Sequence, residues 1–234
     1  MQVTTAMRDD PIAELTAIAD VLDRAGITWW IDSGTLLGLY RDGELFDLSR
    51  DKDFDIGAWI DDRDRIAAAL GEFRQRGYRV GRRHFAGAVV KYWLKPQRGR
   101  PAKQIDIKLH RRFGDLAVCP GALVLSSEQR PVLRHAARFM QLGVGALWRR
   151  RFRHSWSVPG LAVTFSVTSW QIPTGFVETC ERVTLGGVSV PVPSPVEEYL
   201  SFRYGDWRTP TADWVTHRDD GGLRLAAPDV TTGW

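Results

Sequence analysis

Two short apolar segments of this chain carry carboxylates at strand spacing, and they restrict its fold more than any other feature. DFDIGAWI, residues 53–60, sets Asp53 and Asp55 two positions apart. On a strand both face one side, while Phe54 and Ile56 face the other. QIDIKLH, residues 104–110, alternates strictly, with Ile105, Ile107 and Leu109 on one face and Asp106 and Lys108 on the other. Asp51 joins the acidic face if the first strand begins early. If the two strands lie side by side, Asp53, Asp55 and Asp106 share one face of a sheet and the apolar residues share the opposite face. Crowded carboxylates repel one another unless a proton or cation intervenes, and a divalent ion is the usual solution. Three oxygens with room for water and phosphate suit magnesium or manganese and two-metal phosphoryl transfer. The plainer alternative is that alternating acids form a solvated strand face.

The rest of the chain supplies an α/β fold of the α+β type. PIAELTAIADVLDRA, residues 11–25, reads as a helix with Asp10 as its cap, Pro11 in its first turn, and Ile12, Leu15, Ile18, Ala19 and Leu22 on one face. ITWWIDS, 27–33, is β-branched and aromatic, as a buried strand should be, and Gly34 ends it. TLLGLYRDG then reads as a short helix closing in a turn. Asp61 is placed to cap a helix over about 62–75, with Ile66, Leu70 and Phe73 on its inner face. Antiparallel strands are expected over 78–83 and 86–94, and PQRGRPAK, 96–103, reads as a basic turn or mobile loop. A second helical region is expected from Pro131 to about Phe152, a hairpin at 182–192 around Gly186-Gly187, and a last helix opening at Pro195. The chain from Thr209 reads as loop. The segments group as an N-terminal helix (1–26), a catalytic core (27–125), a helical and hairpin region completing the same domain (126–210), and a tail (211–234).

Charge is segregated along the chain. The net charge of +4 combines −8 over residues 1–75, +16 over 76–154 and −4 over 155–234. Acid in one segment and base in the next suit a metal site beside a polyanion site, although such charges are also ordinary solvated surface. The two cysteines, Cys119 and Cys180, make neither a zinc cluster nor a disulfide framework. The first residues lack a basic region followed by an apolar core, and no apolar run reaches about 18 residues. The expectation is an intracellular, cytoplasmic protein.

The turn after the first strand, Asp32-Ser33-Gly34-Thr35, places backbone amides at the start of a helix, where phosphate oxygens bind. A Gly-x-Gly-x-x-Gly dinucleotide fingerprint and a Walker A lysine motif are both absent from the sequence. The stretch WWIDSGTLLGLYRDGELFDLSRDKDFDIG, with QIDIKLH and VPVPSPVEEYLSFRYGDWRTP (190–210) following in order, resembles the LicD family, which includes bacterial phosphorylcholine transferases and the animal fukutin and fukutin-related proteins.

That resemblance implies a nucleotidyltransferase-like fold, a small mixed sheet flanked by helices. It also implies transfer of a phospho-alcohol, phosphocholine or a polyol phosphate, from a CDP-activated donor to a glycan hydroxyl with release of CMP. By position, Gly34 and Thr35 take the phosphate-facing turn, Asp53 and Asp55 the metal ligands, and Asp106 the third carboxylate, with Mg2+ favoured and Mn2+ able to replace it. Lys52 sits where many relatives carry an acid. From the residues themselves, Arg41 and Lys91 are candidate phosphate contacts. Their plainer roles are an ion pair for Arg41 and an edge-strand lysine for Lys91. Asp32 reads as an organiser of the turn or as a satisfied buried cap, and Tyr204 and Trp207 as a substrate wall or as packing for the last helix. The run RRRFRH, 149–154, suits a lipid-linked acceptor or an anionic membrane surface at the inner face, and its plainer reading is a solvated helix end. No stable nucleic-acid partner is expected. The alternatives are a nucleotidyltransferase placing NMP on an RNA, small-molecule or protein hydroxyl, and a noncatalytic binding module on the same fold.

Overall fold

The computed structural model of the protein describes residues 10–49, 51–85, 87–98, 102–126, 156–158 and 163–225. The helical region expected at 131–152 and the basic run 149–154 lie outside the described residues.

Helix α1 spans Pro11–Arg24. The Asp10 carboxylate accepts from the Ile12 amide at 2.8 Å, satisfying one of the donors that a helix start leaves unpaired. Leu15, Ile18, Ala19 and Leu22 are buried as the spacing predicts, and Ile12 is half-buried. Strand β1, Trp29–Ile31, leads into helix α2, Ser33–Leu37, which continues through a wider turn over Gly38–Asp42. Strand β2 is Asp53–Trp59 and helix α3 is Arg63–Gln75. The cap of α3 differs from the expectation. Asp62 precedes the helix, and its carboxylate accepts from the Thr28 amide at 2.8 Å and from Arg65 at 2.6 Å. Asp61, the residue that local spacing assigned to capping, instead accepts from Arg112 Nη1 at 3.2 Å.

Strands β3 (Tyr78–Phe85), β4 (Ala88–Pro96), β5 (Gln104–Phe113), β6 (Leu116–Ser126), β7 (Trp156–Val158) and β8 (Val163–Pro173) follow. Then come the hairpin β9 (Glu181–Leu185) and β10 (Val188–Val192), helix α4 (Val196–Tyr204), the single turn α5 (Thr216–Asp219) and strand β11 (Leu223–Leu225). The main sheet is mixed. Its path runs β1-β2-β5-β6-β8-β11, with β4 also on β5, β3 on β4 and β7 on β8. The β2–β5 pair is parallel, and the other pairs are antiparallel.

The apolar face of β2 and β5 packs into the core. Phe54, Ile56, Ile105, Ile107 and Leu109 are all fully buried, in one cluster with the inward residues of α1 and α3. Gly57 makes this packing possible at one point. A Cβ there would fall 2.2 Å from the fully buried Trp30 ring, so the indole lies directly on the β2 backbone.

Two further expectations are corrected. The segment after Thr209 is not simply loop, because β11 pairs antiparallel with β8, and Asp220 is buried against α4. Its short apolar pattern is too weak to signal a strand without that partner. Lys103, placed by sequence in a basic turn, is buried, and its ammonium donates to the Asp51 carbonyl. Among the described residues, no helix is long and apolar enough to cross a membrane.

Candidate active site

The parallel register of β2 and β5 puts Asp55 directly opposite Asp106, and Asp53 opposite Gln104. Asp53 and Asp55 share a face because they are two apart, and Asp106 joins them because both strands run the same way. The expected juxtaposition of three carboxylates therefore rests on register. This face forms part of the wall of a cavity of about 990 Å³, lined by Gly34, Asp51, Asp55, Lys91, Asp106 and Lys108 and closed by residues of α4 and the segment after it. Asp53 is half-buried beside this lining.

Three lysines thread the carboxylates. Lys91 on β4 pairs with Asp106 Oδ2, and Gln104 Nε2 donates to Asp106 Oδ1 at 2.7 Å. Lys108, on the same strand as Asp106, sits 2.8 Å from Asp55 Oδ1. Lys103 lies 3.7 Å from Asp51 Oδ2. Burial, together with the charges of Asp106 and Asp55, pushes the Asp53 carboxyl up to about 6. Burial likewise raises Asp51 above the usual carboxylate range. Lys108 goes the other way. Its burial alone would lower the ammonium pKa, but Asp55 and Asp32 raise it above its ordinary value, so it stays charged.

The glycine turn meets this acidic face through two contacts. A Cβ on Gly34 would lie 2.8 Å from Asp51 Oδ2, so the missing side chain lets that carboxylate approach the turn. Thr35 is fully buried, and its hydroxyl accepts from the Asp55 amide at 2.9 Å. Gly34 thus lines the cavity, while Thr35 locks α2 to β2 behind it.

Behind the turn lies a buried ionic network. Asp32 accepts from the Ser33 amide at 2.7 Å, from Arg203 Nη1 at 2.7 Å and from the Tyr199 hydroxyl. Arg203 also makes a two-pronged contact with Asp220, at 2.8 and 2.7 Å, and both side chains are 1% exposed. Burial works against the Asp32 charge, and the Arg203 guanidinium overrides it, holding this carboxyl below its usual range. Asp32 is therefore the buried cap of α2, with Oδ1 taking all three bonds and the buried Oδ2 left without a hydrogen-bond partner. Ser33, the single non-glycine residue with positive φ among those described (49°), receives hydrogen bonds from Lys108 and Arg203, both at 3.3 Å.

The remaining sequence candidates fall in two groups. Arg41 lines the cavity and holds Asp42 through two bonds of 2.7 and 2.8 Å, which is its plainer predicted role. Lys91 is on the cavity wall and is not on an edge strand, since β4 has neighbours on both sides. Tyr204 and Trp207 line the cavity and also pack, on Trp214 (5.1 Å) and Tyr40 (5.6 Å) respectively. Lys52 is exposed. Lys108, Lys103, Arg203, Asp220 and Trp170 were missed as site residues. The alternation that selected Asp106 also marked Lys108. Arg203 gave no signal, because α4 has no one-sided apolar pattern to show which of its polar residues turns inward.

The donor set suits a divalent cation in its chemistry, since it is all carboxylate oxygen, and burial together with the charges of Asp106 and Asp55 disfavours the ionised Asp53 carboxyl. Its present arrangement is that of ion pairs. Among the described residues, no three His, Cys, Asp or Glu side chains are grouped to hold a metal.

Residues 26–108 match the model of the LicD/FKTN/FKRP nucleotidyltransferase domain. A LicD-type nucleotidyltransferase domain is thus detected in this part of the chain. The span covers 83 of the 234 residues and ends at Lys108, so it includes the glycine turn, Asp53, Asp55 and Asp106. Helix α4 and Arg203 lie beyond it. An uncharacterized protein of Rickettsia typhi is 38% identical over 61 residues, 26% of this chain and 19% of that protein. The chain therefore spans about a fifth of the length of this curated relative.

Proposed function

We propose that the protein is a metal-dependent phosphotransferase that moves a phospho-alcohol, phosphocholine or a polyol phosphate, from a CDP-activated donor to a hydroxyl of a glycan or lipid-linked acceptor, releasing CMP. The observation that carries this reading is the Asp55–Asp106 pairing across parallel strands, beside the glycine turn and inside a cavity large enough for a nucleotide. The LicD-type domain over the same residues supports it.

Asp53, Asp55 and Asp106 would hold Mg2+ or Mn2+, which when bound supplies charge neutralisation for the donor pyrophosphate. The chain's own residues do the rest. The backbone at Gly34 admits phosphate oxygens close to the start of α2. Lys108 adds fixed positive charge where charge develops on the transferred group, and Lys91 adds a more mobile one. Asp106 orients the attacking hydroxyl and takes its proton, once its pairing with Lys91 is relaxed. The acceptor oxygen bonds to the phosphorus bearing the alcohol, the bond from that phosphorus to the bridging oxygen breaks, and CMP leaves with the electron pair. The protein would act in the cytoplasm, peripherally at an anionic membrane surface where a lipid-linked acceptor is presented.

The test is a screen of CDP-choline, CDP-ribitol, CDP-glycerol and nucleoside triphosphates, with CMP and pyrophosphate measured separately. CMP release from a CDP-alcohol that needs divalent metal supports the reading, and Asp106→Asn should lower kcat by a hundredfold or more in a folded protein. Pyrophosphate release with nucleotide incorporation, or parental turnover in Asp106→Asn, would overturn it.

A further inference from the structure

The carboxylates of the cavity floor are not equally open to a second cation. Lys108 is enclosed on three sides, with its ammonium 2.8 Å from Asp55 Oδ1, 3.3 Å from Ser33 Oγ and 4.8 Å from the centre of the Trp170 ring. Its side chain is 8% exposed. Withdrawing it would leave both a lysine stem and the Asp55 charge without their partners in a buried setting, which is costly. Lys91 is different. Its side chain is 19% exposed, and among the described residues its ion pair is with Asp106 alone. The two lysines are direct neighbours across β4 and β5, so their ammonium groups approach the same pair of carboxylates from one strand position.

A two-ion phosphoryl-transfer site needs two divalent ions about 3.5–4 Å apart, sharing carboxylates between them. Here a fixed ammonium already stands on one of those carboxylates. Resting on the metal-dependent reading above, we propose that Lys108 permanently fills one of the two cation positions, so that the site takes a single divalent ion, for which Lys91 is the built-in competitor. The ion enters on the Asp53–Asp106 side by displacing an ammonium that is partly solvated and held by one carboxylate. It does not enter by displacing the enclosed Lys108. The carboxylate arithmetic agrees. Asp51, Asp53, Asp55 and Asp106 carry four negative charges against three from Lys91, Lys103 and Lys108, an excess that one divalent ion more than covers.

Direct titration tests this without turnover. Mn2+ bound per chain is counted by electron paramagnetic resonance of the free ion and by calorimetry, on the full chain with saturating CDP. The wild-type protein should bind one Mn2+. Lys91→Met should keep that count and tighten the dissociation constant by roughly tenfold or more, a difference of about 1.4 kcal/mol. Lys108→Met, where it folds, should admit a second ion. Two ions on the wild-type protein would overturn the role of Lys108, and an unchanged constant in Lys91→Met would overturn the competition, each leaving the metal reading in place. A wild-type protein that bound no Mn2+ would overturn both this proposal and the metal-dependent function on which it rests.

Discussion

Asp220→Asn is the substitution that most directly measures how the C-terminal segment supports the active-site turn. Asp220 receives Arg203 Nε and Nη2 at 2.8 and 2.7 Å and the Gly222 amide at 2.8 Å, with 1% of either charged side chain exposed. An asparagine keeps the volume and one acceptor oxygen, but it removes the negative charge. Arg203 is then left in a buried setting with Asp32 as its one remaining carboxylate. Removing one partner of a buried ion pair typically costs 3–5 kcal/mol, and because Asp32 persists the lower end applies, about 3 kcal/mol. For a chain of this size that is roughly 6–12 °C in melting temperature. Urea unfolding should show a lower midpoint with an unchanged slope, since the change alters stability and leaves the surface exposed on unfolding alone. Arg203→Met should cost at least as much, because it strands two buried carboxylates. The double variant should fall short of the sum of the two losses, as partners in one network do. A loss below about 1 kcal/mol in Asp220→Asn would refute the argument that this network is a principal support of the fold.

His110 lies at the end of the same strand, fully buried against Trp30, and burial lowers its pKa to about 4. The unfolded chain therefore binds this proton more readily than the folded one, so stability is full above about 6.5 and declines as pH falls toward 4, by about 3 kcal/mol in total. The stability of the parent relative to His110→Leu should fall by about 2.5 kcal/mol between pH 7.5 and 4.5, and a constant difference would show that His110 does not set the acid limb. Gly57→Ala should destabilise by about 3 kcal/mol through overpacking against Trp30, whose ring a Cβ would meet at 2.2 Å. Adding Trp30→Leu should recover part of that loss in chemical denaturation, and a fully additive double variant would place the strain elsewhere.

How far the sequence revealed the structure depended on whether a residue's partner was local. Helix α1 was legible because Asp10, Pro11 and the 3.6-residue apolar spacing all act within a few positions. Strands β2 and β5 were legible because alternation alone fixes which side chains share a face, and two strands with acids on the polar face meet in only a few ways. Asp61 and Lys103 were misread for the opposite reason. Their oxygen and ammonium serve Arg112 and Asp51, 51 and 52 positions away. Strand β11 and the buried Arg203 also depend on partners outside local reach. Three residues form that strand because β8 is there to pair with them, and an arginine enters the core because two carboxylates from distant segments are already inside it.

The same contrast explains the charge pattern along the chain. The acidic first third and the basic middle suggested a metal site with a polyanion site beside it, but the structure interleaves them, with Lys91, Lys103 and Lys108 placed among Asp51, Asp55 and Asp106. The cavity lining holds Asp51, Asp55, Asp106, Asp206 and Asp220 against Arg41, Lys91, Lys108 and Arg203, so its fixed charges give no positive excess. An anionic donor entering it exchanges well-solvated phosphates for a nearly neutral, partly buried wall. Such a transfer is unfavourable unless positive charge enters with the phosphates. Under the proposed function, affinity for the donor should therefore rise steeply with divalent metal and weaken little with added monovalent salt. The second dependence follows because the attraction comes from an ion bound inside the cavity, where screening by salt is weak. A donor dissociation constant that rose tenfold between low and physiological salt, and ignored Mg2+, would instead mean that the cavity attracts phosphate through exposed basic residues.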